Sequence, residues 1–181
     1  MTVLLPKETE FPLIEMNNFY LKVLTLADAE VINNHFSDEH ITKYLDIEPC
    51  KDIEQAVTII QYHMEDAGCR WGIFTKEDDT FIGTCGFHYL RNSNNIFTAE
   101  IGFDLSRDQW GKGIMFEVLQ QIIAFGFTQM GLDVIDATVE QANERSQKLM
   151  NKLGFQRASE LRENLVYYYL SREKKRINKI R

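Results

Sequence analysis

Apolar residues recur along the chain in two patterns, and these patterns separate predicted strands from predicted helices. Alternation with period two, as in Phe19, Leu21 and Val23, is typical of a strand with one buried face. Such segments are predicted as strands at residues 18–25, 69–76, 80–90, 96–106, 134–140 and 164–173. Short loops rich in Asp, Asn and Ser join the second, third and fourth of these strands, which predicts that they are antiparallel neighbours.

Spacings of three and four residues predict four helices between these strands. They cover residues 26–38, residues 52–68, a long stretch from Ile114, and a stretch that starts at Asn143 and stops before Gly154. Gly68 and Gly154 are expected to end the second and fourth helices. The long helix carries an apolar stripe broad enough to pack on a sheet. This order predicts an α/β (α+β) fold, with helices on the faces of one mixed sheet of about six to seven strands.

Composition adds a size limit and a charge to this picture. At 181 residues, 44% of them hydrophobic, we expect one domain at 1–181, with a basic C-terminal tail at 172–181. The formal charge of −7 argues against general binding of nucleic acid, which depends on Lys and Arg at phosphates. That charge is compatible with a cationic partner, although ordinary solubility is the simpler explanation.

Cysteine and histidine positions do not predict a metal site. Cys50, Cys69 and Cys85 have no C-x-x-C spacing, so neither a disulfide framework nor a zinc site is indicated. The four histidines are scattered without metal-ligand spacing, which also argues against a Ser-His-Asp triad. Because there is no secretory signal pattern and no apolar run long enough to cross a membrane, we expect a cytoplasmic protein.

The run Gly-Lys-Gly at residues 111–113 lies between the fourth predicted strand and the long helix. A helix N-terminus offers unpaired N–H groups at the positive end of its dipole, and glycine there allows close approach and positive φ. This arrangement favours an anion, most naturally a phosphate. The alternative is a tight turn, since the run lacks both the dinucleotide fingerprint and the spacing of a nucleotide-triphosphate loop.

A second polar motif follows the fifth predicted strand. Asn143 comes directly after the strand and Ser146 three residues later, in a helix that closes with Gly154 and Phe155. With both motifs in place, residues 18–170 resemble the GNAT superfamily of acyl-coenzyme A N-acyltransferases. Within it they resemble the Rim-type branch, which acetylates protein N-termini and various small amines. The order of predicted elements agrees with that family.

The resemblance implies that acetyl-coenzyme A is the cosubstrate. In the family pattern, Gln or Arg is separated by two residues from a Gly, which is in turn separated by one residue from a Gly or Ala. Trp110, Gly113 and Met115 hold those places here, and Trp110 and Met115 depart from the pattern. The implied coenzyme-binding residues are Phe103, Asp104, Leu105, Trp110, Gly111, Lys112, Gly113, Ile114, Met115 and Asn143.

Different parts of the coenzyme are implied to meet different parts of this set. The amides of residues 111–115 would cradle the pyrophosphate, and Asn143 would donate its side-chain amide to the pantetheine arm. The fourth strand would splay from the fifth, so that the backbone of residues 103–105 pairs with that arm like an added strand.

Acetyl transfer to an amine needs a neutral amine, a stabilised oxyanion and relief of charge on the leaving thiolate. Glu100 lies on the opposite parity to Ile101 and Phe103, and the family often places a base there. A carboxylate in a mostly apolar groove is expected to have a raised pKa and to take the proton of an ammonium, directly or through water. The alternative is an exposed polar residue on an alternating strand. His88 is the one histidine that could face the groove beside Glu100.

Ser146 is the candidate partner of the thiolate, because the superfamily commonly has a Tyr nearby and this branch often has a Ser instead. A serine hydroxyl can hydrogen-bond a thiolate, and so stabilises it rather than fully protonating it. The alternative is a hydroxyl that satisfies a backbone amide at the helix N-terminus. A backbone N–H near Phe103 is the candidate donor to the oxyanion.

The sequence therefore predicts an N-acetyltransferase that acts on a primary amine in a ternary complex. The acceptor is expected to be a protein N-terminus or a small amine such as a polyamine or an aminoglycoside, and neither nucleic acid nor membrane is an expected partner. A non-catalytic acyl-coenzyme A sensor and a structural partner-binding domain remain alternatives. The prediction leaves open a monomer or a homodimer.

Overall fold

A mixed sheet of eight strands runs through residues 11–172, the part of the chain that the computed structural model describes. The strands are β1 Ile14–Glu15, β2 Phe19–Val23, β3 Cys69–Thr75, β4 Phe81–Ser93, β5 Ile96–Leu105, β6 Val134–Val139, β7 Gln156–Arg162 and β8 Leu165–Ser171. The helices are α1 Ala29–Phe36, α2 Glu39–Thr42, α3 Ile53–Glu65, α4 Ile114–Thr128 and α5 Glu144–Lys152, with 3₁₀ turns at Leu26–Asp28 and Arg107–Gln109.

The strand order is β1-β2-β3-β4-β5-β6-β8-β7, and each neighbouring pair is antiparallel except β5 and β6. That parallel ladder is short, since only Thr98, Ala99 and Glu100 pair with β6. Beyond Glu100, β5 continues to Leu105 paired with β4 alone. The predicted splay is therefore confirmed. The fourth and fifth predicted strands are β5 and β6 in the structure, because the short β1 precedes the first predicted strand.

Helices cover both faces of the sheet, as predicted, because alternate strand residues point to opposite sides. Trp71 and Ile73 of β3 join the main core, in which α4 packs on the sheet. Arg70 points to the opposite face, where α1 and α3 pack together around a second core. The site residues of β5 are divided between these two faces.

The boundaries differ from the predictions where local pattern is weak. β1 has two residues, and β7 is almost wholly exposed and polar, so neither shows apolar alternation. β4 runs on to Ser93, and the turn to β5 is Asn94-Asn95, with φ of 52° and 61°. Gly68 does not end α3, since that helix ends at Glu65 and Asp66 follows it in an extended conformation.

Gly154 does end α5, as predicted. Its φ is 85°, its N–H donates to the Asn151 carbonyl, and the Phe155 N–H donates to the Met150 carbonyl at 3.1 Å. These are the two bonds of a Schellman motif. Of the predicted basic tail, Arg172 pairs with Asp133 at 2.9 Å, and residues 173–181 lie outside the described part of the chain.

Cys50, Cys69 and Cys85 are buried free thiols. Within residues 11–172, the helices are too short or too polar for any of them to span a membrane.

Candidate active site

The turn before α4 has the conformation that its glycines permit. Gly111 and Gly113 have φ of 77° and 79°, values that residues with a Cβ rarely adopt. A Cβ added at either position would meet nothing within 4 Å, so space lies open in front of this backbone. Glu117 donates its N–H to the Gly113 carbonyl at 3.2 Å, which begins the helical bonding and leaves the preceding amides at the open N-terminus. The turn therefore fits an anionic group such as a pyrophosphate.

Side chains near this turn hold it in place rather than fill it. The Trp110 indole donates to the Leu105 carbonyl at 2.7 Å, which ties the turn to the end of β5. The Arg145 guanidinium lies 3.8 Å from the centre of the Trp110 ring, which ties the turn to α5. Ile114 and Met115 are buried in the main core, so only their backbone faces the candidate anion site. Lys112 is exposed, and its ammonium reaches Gln109 at 3.1 Å.

Asp104 has a structural role that the sequence does not reveal. Its carboxylate is 3% exposed and lies 2.6 Å from His35 Nε2 and 3.0 Å from Arg70 Nη2. Thr84 donates to it from both its backbone N–H and its hydroxyl. Burial raises the pKa of Asp104, but the hydrogen bond and charge of His35 and the charge of Arg70 outweigh burial and hold this pKa below its usual range. At residue 104, then, only the backbone remains for a coenzyme in the splay.

Asn143 and Ser146 lie together at the N-terminus of α5. The Asn143 side-chain oxygen accepts a hydrogen bond from the Ser146 N–H at 3.2 Å, so Asn143 is the N-cap. This bond uses only the amide oxygen, and the NH₂ group keeps its two donors. The Ser146 hydroxyl is half-buried and has no hydrogen-bond partner among residues 11–172. The alternative that the Ser146 hydroxyl caps α5 is therefore wrong, because the Asn143 side chain is the cap.

Glu100 stands at the last paired position before the splay and is 20% exposed. Its Oε1 accepts a hydrogen bond from the Thr138 hydroxyl at 2.8 Å. His88 Nε2 lies 3.8 Å from the same oxygen, too far for a hydrogen bond but near enough for its charge to act. His88 does face this groove beside Glu100, as anticipated.

The expected rise in the pKa of Glu100 is wrong. Burial raises the pKa of this carboxyl, but the nearby His88 and the Thr138 hydrogen bond outweigh burial. The charge of Arg91 lowers it further, and the net pKa lies below the usual value. Glu100 is consequently ionised at neutral pH, which is the form that can accept a proton.

A second carboxylate beside Glu100 was missed by sequence reasoning. Asp136 pairs with Glu100 in the β5–β6 register, and its side chain is 2% exposed. It accepts hydrogen bonds from Tyr167, at 2.7 Å, and from Arg91. Burial raises the pKa of Asp136 despite these partners, and burial together with Asp136 raises the pKa of Tyr167 to about 12. The sequence does hold a signal for this residue: Asp136 is an acid in the middle of a predicted central strand, and acids are rarely buried there unless they are paired.

Two cavities of the described chain lie away from Glu100. One, of about 920 Å³, lies between α1 and the turn before α4 and is lined by His35, Ser106 and Trp110. The other, of about 440 Å³, lies at the opposite end of the sheet, against Arg70 and Phe97. Glu100 lines neither of these cavities within residues 11–172, and it lies instead at the start of the splay.

Comparison with known proteins identifies the family. The family model described as Acetyltransferase (GNAT) domain matches residues 18–156. The uncharacterized N-acetyltransferase p20 of Bacillus licheniformis is 42% identical over 147 residues, covering 79% of this chain and 82% of that protein. The uncharacterized N-acetyltransferase YoaA of Bacillus subtilis (strain 168) is 37% identical over 157 residues, covering 84% and 88%.

Solved structures agree at the level of the fold. RimL, a ribosomal L7/L12 α-N-protein acetyltransferase solved with coenzyme A, gives a TM-score of 0.76 at 15% identity, over 88% of this chain and 98% of that one. Spermidine N-acetyltransferase from Vibrio cholerae, solved with CoA and spermine, gives 0.74 at 19% identity, over 85% and 95%. The chain therefore belongs to the GNAT acetyltransferase family, as the sequence resemblance predicts, and is an acetyl-CoA-dependent N-acetyltransferase.

Proposed function

We propose that this protein transfers the acetyl group of acetyl-coenzyme A to a primary amine by direct attack in a ternary complex, with Glu100 as the base. The observation that carries the proposal is the position of Glu100. It is an ionised carboxylate at the point where β5 and β6 separate to form a cleft. From Glu100, β5 runs on to Leu105, whose carbonyl accepts the Trp110 indole N–H from the turn before α4.

The cleft supplies the groups that a coenzyme needs. The amides of residues 111–115 would hold the pyrophosphate at the positive end of α4. The backbone of residues 103–105 has no strand partner on its β6 side, so it would bond the pantetheine arm as an added strand. The Asn143 amide, held by its own capping bond, would donate to the same arm. When bound, acetyl-coenzyme A supplies the acetyl group as a thioester and a thiolate as the leaving group.

Glu100 would take a proton from the incoming ammonium. Thr138 fixes one of its oxygens, which leaves the other to face the amine. His88 Nε2 lies 3.8 Å from Glu100 and its side chain is 21% exposed, so it would offer a route for the proton to reach solvent. A backbone N–H near Phe103 would donate to the oxyanion, because the splay leaves such groups unpaired.

Ser146 would donate its hydroxyl to the thiolate. The hydroxyl is not bonded elsewhere among residues 11–172, and Asn143 fixes the first turn of α5 on which it stands. Its role is to stabilise negative charge on sulfur rather than to serve as a strong acid.

The two solved structures of similar fold belong to enzymes with different acceptors: RimL acts on a ribosomal-protein N-terminus, and the Vibrio cholerae enzyme acts on a polyamine. The decisive experiment follows release of the coenzyme thiol with a panel of polyamines, aminoglycosides, amino acids and N-terminal peptides. Turnover with at least one amine, lost in Glu100→Gln, supports the proposal. Tight binding of acetyl-coenzyme A without turnover of any amine would instead favour a sensor.

A further inference from the structure

A β-bulge in β4 places two basic side chains beside Glu100. His88 pairs with Glu100 and Arg91 pairs with Thr98, so β4 advances three residues where β5 advances two. Without the extra residue, Arg91 would point to the opposite face from His88. With it, both side chains lie on the Glu100 face.

The bulge is an unusual piece of backbone. Tyr89 has φ of 49°, a left-handed conformation that is uncommon for a residue with a large side chain. Bulges of this kind often re-aim a side chain next to an active site, and unusual backbone persists where the surroundings hold it. Here the side chain that is re-aimed is Arg91.

Two acceptors hold the guanidinium of Arg91 in place. One terminal nitrogen bonds the buried carboxylate of Asp136, which Tyr167 also braces, and the other donates to the Tyr89 carbonyl at 3.0 Å. The side chain is still 41% exposed. An arginine has five N–H donors, so three remain for a ligand. The guanidinium is close enough to Glu100 to lower the pKa of that carboxyl.

We propose that Arg91 binds a carboxylate of the acceptor, so that the substrate is an amino acid whose amine faces Glu100 and whose carboxylate meets the free edge of Arg91. This inference rests on the proposed acetyl transfer. The planar fork of an arginine matches two carboxylate oxygens, and a fork already fixed in place loses little freedom on binding. Arg91 thus supplies the second recognition point that a small amine requires.

The same arrangement disfavours a polyamine. Asp136 is taken up by Arg91 and Tyr167, and Glu100 is needed for the reacting amine. A second ammonium on the acceptor would therefore meet the positive charge of Arg91. Specificity here comes from repulsion as well as attraction.

The test uses matched acceptors: the standard L-amino acids, the corresponding amino-acid amides, and spermidine. An amide keeps the amine but lacks the carboxylate, and it also imitates the N-terminus of a peptide. We expect kcat/KM for the best amino acid to exceed that for its amide by about tenfold or more. In Arg91→Gln this ratio should fall towards one, mainly through a higher KM for the amino acid. The amino acid and its amide differ in amine basicity, but this difference is the same for the parent and for Arg91→Gln. It therefore cancels when the kcat/KM ratios of the two proteins are compared.

Arg162→Gln is the matched control, because Arg162 lies on the Tyr167 ring and is exposed. It should keep the parental ratio. Since Arg91→Gln leaves Asp136 buried without its cation, Arg91→Gln/Asp136→Asn is measured in parallel and should show the same loss of preference.

A parent that prefers the amide or spermidine, or a ratio unchanged in both Arg91 variants, would overturn the assignment. Such a result leaves acetyl transfer itself intact. If no amine is acetylated at all while acetyl-coenzyme A binds, the proposed function fails instead, and so does the inference that rests on it.

Discussion

Replacing Asp104 by Asn should destabilise the fold far more than an ordinary loss of one charge. Asn has nearly the same shape but no charge, so Arg70, whose side chain is 10% exposed, would be left without its counter-charge. Breaking a buried pair in this way costs about 3–5 kcal/mol, because the remaining charge is desolvated and unpaired. The amide would also present an N–H group to donors that need an acceptor, namely the backbone and hydroxyl of Thr84.

The comparison variant is Glu15→Gln, which removes an acid from the exposed pair with Lys76, whose side chains are 66% and 37% exposed. It should change stability by no more than about 1 kcal/mol. Urea unfolding of the parent and both variants at pH 7, with equal slopes, gives the two differences directly. A loss below about 1 kcal/mol in Asp104→Asn would refute the view that this carboxylate is a buried ion-pair partner.

The pH dependence gives an independent check with a fixed sign. The folded pKa of Asp104 is depressed, so its ionised form contributes stability above the unfolded pKa, near 3.9, and this contribution is lost as pH falls towards the folded value. The difference between the parent and Asp104→Asn should therefore not shrink between pH 7 and 5. It should begin to shrink below about pH 4. Shrinkage already between pH 7 and 6 would point to a different titrating group.

Three other substitutions test the proposed site directly. Gly113→Glu should abolish acetyl-coenzyme A binding in calorimetry, because it puts bulk and negative charge at the proposed pyrophosphate site, on a residue whose φ of 79° disfavours a side chain. Unchanged affinity would remove this turn from the site. Glu100→Gln should lower kcat/KM about 100-fold or more at pH 7 without weakening coenzyme binding, and the loss should shrink at high pH as free amine becomes abundant; a pH profile parallel to that of the parent would exclude Glu100 as the base. Ser146→Ala should lower kcat about ten- to a hundredfold with little change in stability, and normal turnover in this variant would exclude contact of Ser146 with the thiolate. Asn143→Ala should instead lower the free energy of unfolding by about 1 kcal/mol, because it removes the N-cap of α5.

Sequence patterns predicted those features that depend on neighbours along the chain. The Gly154 helix end is such a feature, because its two bonds join residues within one turn. The positive φ values of Gly111 and Gly113 are another, since they follow from the passage of a strand into a helix. For the same reason, the order of elements and the position of the splay were predictable from periodicity and family pattern.

Features that depend on partners distant in sequence were not predictable. Gly68 looked like a helix end, but an added Cβ there would lie 1.9 Å from the Phe87 carbonyl oxygen, so the glycine allows close approach to β4. The pKa of Glu100 depends on Thr138 and His88, which reach it across the sheet. The bulge that re-aims Arg91 is a mismatch between two strands, and neither strand reveals it alone.

Asp104 fixes the end of β5 beyond the point where that strand separates from β6. After Glu100, β5 gives up its pairing with β6, which leaves backbone N–H and C=O groups without strand partners along the cleft. Such a strand end would gain free energy by closing onto β6, unless other contacts fix it. Asp104 supplies these contacts on the same face of the sheet as Glu100, through Arg70 of β3 and His35 of α1, and Trp110 holds the Leu105 carbonyl next to it. The buried network therefore holds the end of β5 apart from β6, where the coenzyme is proposed to bind. It follows that an Asp104 variant that still folds should lose coenzyme affinity, even though the Asp104 carboxylate is bonded to Arg70, His35 and Thr84 and has no proposed contact with the coenzyme.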